Sequence, residues 1–352
     1  GFLSEYHRWL AEKTGGCIRD TAHDFSNNTW VPLPWTADEH LHPTNWTART
    51  ALEEVAQRDP DRPLFLQIGF HRPHPPYDPP WSYFARYQHR ELPPVPVGDW
   101  AIEHAAHPVD AMAGLRGELP REVQDDSRRA YYAAINHIDD QIGRLLYGLR
   151  QSGIYDRSWI IFASDHGEML GDHHMRHKIV PFEGSAKIPL IIKPPAGKGF
   201  RRGESCDVPV TLTDLMPTLL KLGGATVPDG VEALSLAPLL CPGHSALPGR
   251  SFIHGEHAPV WQFLTDGREK YIWNSSSGGE WFFDLTEDPR ELCDLAAEGR
   301  ADSRIAVWRQ RLIEHLSTPD RLADGLSDGK QLIAGTTTPP VRPQLLERRF
   351  ST

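Results

Sequence analysis

The sequence predicts an α/β protein that ends in a small antiparallel sheet. Three short apolar runs, LFLQIGF, WIIFA and PLIIK, have the length and composition of buried strands, and helical patterns stand beside them. After about residue 228, short aromatic segments alternate with turn residues, which is typical of antiparallel hairpins. Together these observations predict a sheet covered by helices, followed by a smaller second sheet.

The core elements come in α/β order along the chain. Residues 64–70 are predicted as a first buried strand that runs into a loop rich in proline and histidine. Residues 129–149 place apolar side chains at helical spacing, and residues 159–163 follow as a second buried strand. Residues 189–193 are a third strand-like run, and residues 212–222 are predicted as a helix that a glycine pair closes.

The C-terminal part reads as a separate small sheet. SFIHGEH, FLTDGREKYIW and GEWFFDL are predicted as its strands, with a tight hairpin at Asp266-Gly267. Residues 303–316 have the pattern of an amphipathic helix that packs on this sheet. We therefore predict three parts: an α/β core at residues 1–240, a sheet-and-helix subdomain at 241–316 and a polar tail at 317–352.

Composition and charge argue against some classes of function. The 352 residues carry a formal charge of −10 and no basic stripe, which argues against nucleic-acid binding. No apolar run approaches the roughly 20 residues that cross a bilayer, so no membrane partner is predicted. The four cysteines form no C-x-x-C pair, so neither a zinc ribbon nor a redox motif is indicated. Compartment and oligomeric state are left open by the sequence.

The densest group of chemically active side chains follows the second predicted strand. The string SDHGE stands directly after WIIFA, and GDHHMRHK comes next. In open α/β sheets, ligands bind at loops that follow the carboxyl ends of strands. Asp165 and His166 are therefore predicted at a metal or substrate site. The alternative is that Asp165 caps a turn and that the histidines are solvated.

A second group, the string HRPHPP at residues 71–76, follows the first predicted strand. Prolines on both sides of His74 fix φ and restrict the preceding residues. Its imidazole is thus expected to be held in one direction at little entropic cost. A proline-rich surface loop without chemistry is the alternative.

Both strings resemble those of the type I sulfatases of the alkaline phosphatase superfamily, and they come in the same order. The other strings that resemble this family are YYAAINHIDDQIGRLL, FEGSAKIPLIIKPP, DVPVTLTDLMPTLLKLGG and FFDLTEDPRELCDLA. The resemblance runs over residues 60–316. Its most specific part is DHGE with Lys178 thirteen residues beyond Asp165.

The resemblance implies a three-layer αβα sandwich for the core and roles for four residues. Asp165 and His166 would bind one divalent cation, usually calcium in sulfatases, and Lys178 and His74 would contact the sulfate group and the bridging oxygen. A sulfate ester suits such a site, because its charge must be held by cations while the S–O bond breaks. Ligand type alone leaves manganese, magnesium or zinc open.

The function that the resemblance implies is hydrolysis of a sulfate monoester, with a sulfated small molecule or carbohydrate as substrate. Phosphonate monoester and phosphodiester hydrolases form a sister family with similar RPHPP and SDHGEMLGDHH strings, and they are the alternative among enzymes. FEGSAKIP and FFDLTEDP favour the sulfatase. A relative that binds an anion or a sugar without turnover is the alternative outside the enzymes.

Further residues are weaker candidates. His173 and His174 are predicted to line the substrate pocket, with a plain exposed loop as the alternative. His257 lies in a strand-like segment at the expected rim of the cleft, where a structural role is the alternative. Glu183 and Lys187 are predicted to form an ion pair that fixes the active-site loop.

The nucleophile is the part of the family pattern that we do not find. Type I sulfatases make a formylglycine from Cys or Ser in a C/S-x-P-x-R motif near the N-terminus, after an Asp-Asp pair. No cysteine has this spacing, since Pro209 follows Cys206 one position too late, and no serine gives a convincing match. The Asp-Asp pairs at 125–126 and 139–140 come after the HRPHPP string. We expect that the nucleophile-bearing N-terminal part is missing and that the chain as written hydrolyses no sulfate ester.

Overall fold

The computed structural model describes residues 4–20, 29–106, 115–257 and 259–335. The chain divides into two units. The first unit comprises Gly1–Val95, Glu103–Trp159 and Leu170–Arg176, and the second comprises Pro96–Ile102, Ile160–Met169 and His177–Thr352. None of the helices in the four described ranges combines the length and the apolar character that a membrane crossing needs.

Helices are the main regular elements in the described part of the first unit. They are α1 (Glu5–Thr14), α2 (Pro43–Gln57), α3 (Trp81–Phe84) and α4 (Arg121–Gln151). Helix α1 begins where the Ser4 hydroxyl accepts the His7 N–H, and it ends at Gly15, whose φ of +61° is left-handed. Helix α2 begins with the His42 ring accepting the Thr44 N–H at 3.1 Å.

Helix α4 is the longest helix and the centre of packing in the first unit. The sequence predicts a helix over residues 129–149, and the structure confirms it, with the start at Arg121. Ala48 and Ala51 of α2 pack against Leu145 of α4, because small side chains let the two helices approach closely. Aromatic side chains pack against other turns of α4 in a second cluster, which contains Trp30, Tyr77, Tyr83, Phe84, Ala130 and Ala133.

The second unit begins with a two-stranded ladder. Strand β1 (Ile160–Ala163) pairs antiparallel with β2 (Leu190–Lys193), and Phe162 stands opposite Ile191. Helix α5 (Glu183–Ala186) precedes β2, and α6 (Leu215–Leu222) follows it. The predicted strands at 159–163 and 189–193 and the predicted helix at 212–222 are therefore confirmed, although a 3-10 turn forms the start of that helix.

Two predictions about the core strands are wrong. Residues 64–70 pair with no strand among the described residues, and Phe65 is 73% exposed. An apolar run becomes a strand only when a neighbour supplies its hydrogen bonds, and this requirement is not visible in local sequence. Burial of β1 is incomplete as well, because Phe162 is 41% and its partner Ile191 62% exposed.

The second unit ends in a four-stranded antiparallel sheet, as the sequence predicts. Its strands are β3 (Ile253–His257), β4 (Trp261–Thr265), β5 (Glu269–Asn274) and β6 (Glu280–Asp284), paired in chain order. The predicted hairpin turn is confirmed at Asp266-Gly267. The Asp266 carboxylate accepts the N–H groups of Arg268 and Glu269, and Gly267 has a φ of +86°.

Helix α7 (Asp302–Leu316) covers this sheet and confirms the predicted amphipathic helix. Its buried face supplies Trp308 and Leu312 to a cluster with Tyr271 and Phe282 of the sheet. Leu326 joins the same cluster at 2% exposure, so packing continues past residue 317. The three predicted parts of the chain stay a prediction, and residues 336–352 of the predicted tail lie outside the described residues.

Candidate functional site

The loop after β1 carries Asp165 and His166, and short hydrogen bonds fix its conformation. The Asp165 carboxylate accepts the His166 N–H at 3.0 Å, and the Ser164 hydroxyl donates to the His166 carbonyl at 2.7 Å. The His166 Nδ1–H donates to the Gly167 carbonyl at 2.7 Å. In the neutral imidazole this leaves the lone pair on Nε2, which is the atom that a metal ion would bind.

The positions of the two side chains suit a shared cation. Asp165 Oδ2 lies 3.7 Å from His166 Nε2. Donors about 2.0 to 2.6 Å from one cation are roughly 3 to 4 Å apart, so the pair fits as two ligands of one ion. The Asp165 side chain is 84% exposed, and a cation would reach it from solvent. Among the described residues, no group of three or more His, Cys, Asp or Glu side chains gathers around a metal position.

Gly167 ties this loop to helix α5. Its N–H donates to the Ser185 carbonyl at 2.8 Å. A Cβ atom on Gly167 would lie 2.2 Å from the Gly184 carbonyl oxygen, so only glycine allows so close an approach. The backbone beside the Asp165–His166 pair therefore rests directly on α5.

Glu168 connects the same loop to the segment that carries Lys178. Its side chain is only 5% exposed and accepts the His177 N–H, and its second oxygen lies 4.0 Å from His177 Nδ1. The Met169 N–H donates to the His177 carbonyl at 2.9 Å. Residues 165–168 and the half-buried Lys178 are thus held together through backbone contacts. No pattern in the sequence predicts this role for Glu168, although it stands inside the DHGE string.

Backbone strain concentrates in the sequence between residues 170 and 179. Six non-glycine residues with positive φ are found in the described ranges, and five lie between residues 170 and 179: Leu170, His173, His174, His177 and Ile179, with φ between 48° and 75°. Such conformations cost energy and persist only where the surroundings enforce them, which is common at functional sites. No pattern in the sequence reports this strain.

His173 and His174 belong to the first unit. His173 is 2% exposed, and its carbonyl accepts from His104 Nδ1 at 3.2 Å. His174 is half-buried and its carbonyl accepts the Gly117 N–H at 3.0 Å. Their contact with substrate stays a prediction.

The HRPHPP loop of the first unit is held by a buried ion pair. Arg72 is 3% and Asp78 1% exposed, and the guanidinium donates to both carboxylate oxygens, at 2.6 Å for the Nη2 bond. Burial alone would raise the pKa of Asp78, but the hydrogen bonds and charges of Arg72 and His42 together outweigh it and lower the pKa to about 2. His42 is a second polar neighbour of Asp78, with its Nε2 3.8 Å from Asp78 Oδ1. No pattern in the sequence predicts this pair.

His74 is oriented by its own loop. Its Nδ1 hydrogen bonds to the Pro75 carbonyl at 2.8 Å, and its N–H donates to the His71 carbonyl at 3.2 Å. Its ring lies 5.0 Å from the ring of His71, whose Nδ1 accepts from Arg72. These contacts agree with a positioned imidazole, the property that the flanking prolines predict. The catalytic role of His74 stays a prediction.

The remaining candidates lie in the second unit. His257 is exposed at the end of β3, opposite Trp261 in the ladder, and its part in substrate binding stays a prediction. The predicted ion pair between Glu183 and Lys187 is present, at 3.5 Å. Glu183 also contacts the buried Lys270, which lies 87 residues away in the sequence.

One serine string has the spacing of the nucleophile motif. Ser317-Thr318-Pro319-Asp320-Arg321 follows α7, far along the chain from the HRPHPP loop. The Ser317 hydroxyl donates to the Ile313 carbonyl at 2.5 Å, and Arg321 pairs with Glu256 at 3.4 Å. These contacts explain the serine and the arginine as groups that end a helix and join it to the sheet.

Known proteins resemble this chain along most of its length. The family model described as Sulfatase matches residues 3–225. An arylsulfatase of Clostridium perfringens is 36% identical over 340 residues, which cover 94% of this chain and 69% of that relative. The multifunctional alkaline phosphatase superfamily protein PehA of Trinickia caryophylli is 30% identical over 365 residues, which cover 91% of this chain and 69% of that protein.

Among solved structures, the phosphonate monoester hydrolase of Agrobacterium radiobacter matches with a TM-score of 0.73 at 24% identity. The match covers 88% of this chain and 68% of that one. At this identity the likeness shows the fold, and it confirms the predicted alkaline phosphatase-like α/β class.

Proposed function

We propose, from the premise that the chain belongs to the sulfatase family, that the complete protein hydrolyses a sulfate monoester. The observation that carries this proposal is the Asp165–His166 pair, two metal-ligand atoms 3.7 Å apart in a loop that Glu168 joins to the Lys178 segment. The 36% identity to an arylsulfatase supports a sulfated substrate. A sulfated small molecule or carbohydrate is the proposed class.

The roles of the residues follow from their chemistry. Asp165 and His166 would hold a divalent cation, which members of this superfamily use, and the bound cation would draw negative charge from the sulfate oxygens. Lys178 would bind the sulfate oxygens as a fixed ammonium, which binds them more tightly as charge builds up on them. His74 would hold the proton that the departing alkoxide needs.

Calcium is the proposed cation. An exposed carboxylate suits a hard ion, although one imidazole among the ligands also suits manganese, magnesium or zinc. Titration of the complete, metal-free protein with each chloride salt would rank them. Tighter binding of zinc together with higher turnover would replace calcium in this proposal.

The nucleophile is proposed to come from sequence outside these 352 residues. No C/S-x-P-x-R string precedes the HRPHPP loop, and the string at 317–321 is engaged in α7 contacts. Without a covalent nucleophile only water remains to attack sulfur. We therefore expect the 352-residue chain alone to show no turnover of an aryl sulfate.

Phosphonate monoester or phosphodiester hydrolysis is the second candidate function. It is favoured by the fold match to a phosphonate monoester hydrolase and by the relative named for several activities. The deciding experiment compares aryl sulfate, aryl phosphonate and phosphodiester turnover by one preparation of the complete protein. We expect the sulfate to have the highest kcat/KM, and a higher value for either phosphorus ester would reverse the assignment.

The site residues are tested in the same assay. Lys178→Ala is expected to lower kcat on the aryl sulfate by about 10² to 10³ while the protein stays folded, because it removes a charge that stabilises the transition state. Lys221→Ala, an exposed lysine on α6, is the matched control and should keep the wild-type rate. Wild-type kcat in Lys178→Ala would remove that residue from the site. Absence of turnover in the complete wild-type protein with metal added would favour a binding protein.

A further inference from the structure

We propose that three charged residues of the second unit, Lys270, Glu183 and Glu291, position the Asp165–His166 pair and the Lys178 segment. We name them the Lys270 cluster. The inference rests on the proposed function, because positioning matters only if Asp165, His166 and Lys178 act on a substrate. Whether the Lys270 cluster holds the loop at Asp165 in place can be measured without an assay of turnover.

Lys270 is the centre of the cluster. It lies on β5, is 0% exposed, and its Nζ stands 2.9 Å from Glu183 Oε1 and 3.0 Å from Glu291 Oε1. A buried ammonium is costly unless carboxylates surround it, and these two also hold the pKa of Lys270 above its usual value although burial alone would lower it. Phe263 adds an aromatic face 5.2 Å from the ammonium.

Glu291 joins the ammonium to the start of helix α5. Its side chain is 1% exposed, and its Oε2 accepts the Glu183 N–H at 2.7 Å. Glu291 holds a φ of +56°, a strained conformation for a non-glycine residue, and its carbonyl accepts the Trp100 Nε1–H at 2.8 Å. The Trp100 ring stacks on Phe182, the residue before α5, at 4.6 Å. The entry of α5 is therefore fixed by charge, by a hydrogen bond and by stacking.

Helix α5 connects the Lys270 cluster to the candidate site through its contacts with Gly167. The Ser185 carbonyl accepts the Gly167 N–H, and Gly167 has no space for a Cβ atom against the Gly184 carbonyl. Gly167 is bonded to His166 on one side and to Glu168 on the other, and Glu168 holds the His177 backbone next to Lys178. A shift of α5 would therefore move His166, and it would move Lys178 through Glu168.

The composition of the cluster favours positioning over simple stabilisation. Buried ion pairs are often no more stabilising than apolar side chains of similar volume, and in some proteins they specify one conformation instead. One ammonium faces two carboxylates here, so loss of Lys270 leaves two like charges close together at the start of α5. Their repulsion would displace the start of α5, whose Ser185 carbonyl accepts the Gly167 N–H.

The first test is amide hydrogen exchange of Gly167 in the 352-residue chain, under conditions where each variant is folded. We expect the Gly167 amide to exchange about tenfold faster in Lys270→Met, because its acceptor on α5 moves. Lys270→Arg should restore most of the protection, and Glu291→Gln, which keeps an acceptor for the Glu183 N–H, should fall between. If Lys270→Met does not fold, the exchange rates of Lys270→Arg and Glu291→Gln are compared with the wild type instead.

Leu312→Ala is the matched control. Leu312 belongs to α7 and packs on the opposite face of the sheet with Tyr271, so the substitution lowers stability without touching the Lys270 cluster. It should leave the exchange rate of Gly167 unchanged. Equal acceleration in Leu312→Ala and Lys270→Met would overturn the proposal, because the cluster would then act only through general stability.

The second test is turnover of an aryl sulfate by the complete protein. Lys270→Met is expected to lower kcat by about ten- to a hundredfold with KM little changed, with partial recovery in Lys270→Arg, because a small displacement of catalytic groups acts mainly on the transition state. Wild-type kcat in Lys270→Met would overturn the proposal. Absence of turnover in the wild type would instead contradict the proposed function, and the exchange of Gly167 would still decide the role of the cluster.

Discussion

The two loops that carry the strongest candidate residues are held in opposite ways. The HRPHPP loop of the first unit depends on side-chain charge, because Arg72 and Asp78 form a bidentate pair at 3% and 1% exposure. The loop at Asp165 in the second unit is held by a backbone contact to α5 and by the Glu168 side chain, and it leaves the Asp165 side chain 84% exposed. The HRPHPP loop buries both charges of its ion pair, whereas the loop at Asp165 buries the Glu168 side chain and presents Asp165 to solvent.

This difference predicts whether a substitution changes the stability of the fold or the binding of a cation. A buried ion pair forms only in the native state, so a substitution in it changes the free energy of unfolding. A carboxylate in water has no desolvation cost to recover and is available to a cation. Substitutions in the HRPHPP loop should therefore change the free energy of unfolding, and substitutions of Asp165 should change cation binding.

The largest expected effect is on Arg72. Arg72→Met would leave the Asp78 carboxylate buried beside His42 without its bidentate partner. We expect the free energy of unfolding to fall by about 3 to 5 kcal/mol, measured by urea denaturation at pH 7.

The double variant Arg72→Met/Asp78→Leu is the control for Arg72→Met, because it removes both charges and fills the space with apolar groups. It should recover more than half of the loss. Equal losses in the single and double variants would show that packing, and not the unpaired charge, dominates at this loop.

The next effect is the acid dependence of the same pair. The pKa of Asp78 is about 2 when folded, below its usual value of 3.8, so the unfolded chain binds the proton more readily. The stabilisation is complete above about pH 4 and is lost as the pH falls towards 2, which amounts to about 2 kcal/mol. Urea denaturation between pH 5 and pH 2.5 should show a steeper loss in the wild type than in Arg72→Met/Asp78→Leu. Parallel curves would contradict the lowered pKa.

The same contrast marks what the sequence could predict. Local patterns gave the helix at 129–149, the strands at 159–163 and 189–193 and the hairpin at Asp266-Gly267, because each depends on neighbouring residues. The strand predicted at 64–70 is wrong, because pairing depends on a distant partner that the local pattern does not specify.

The same distinction between local and distant contacts applies to the candidate site. Asp165 and His166 are adjacent in sequence, so their proximity could be predicted, as could an oriented His74 between prolines. Lys270 lies 87 residues from Glu183 in the sequence, and no periodicity predicts its contacts with Glu183 and Glu291. The strained backbone between residues 170 and 179 likewise arises from packing that only the structure shows.

The smallest expected effect on stability is at Asp165. Its carboxylate is exposed and its hydrogen bond to the His166 N–H is local, so Asp165→Ala should change the free energy of unfolding by no more than about 0.5 kcal/mol. In the complete protein the same substitution should weaken calcium binding by more than about tenfold in isothermal titration, because it removes a charged ligand and leaves the cation underbound. Asp229→Ala, an exposed acid elsewhere in the second unit, is the matched control and should bind calcium like the wild type. Unchanged calcium affinity in Asp165→Ala would remove this loop from the metal site, and a loss of several kcal/mol would show that it is held as firmly by charge as the HRPHPP loop.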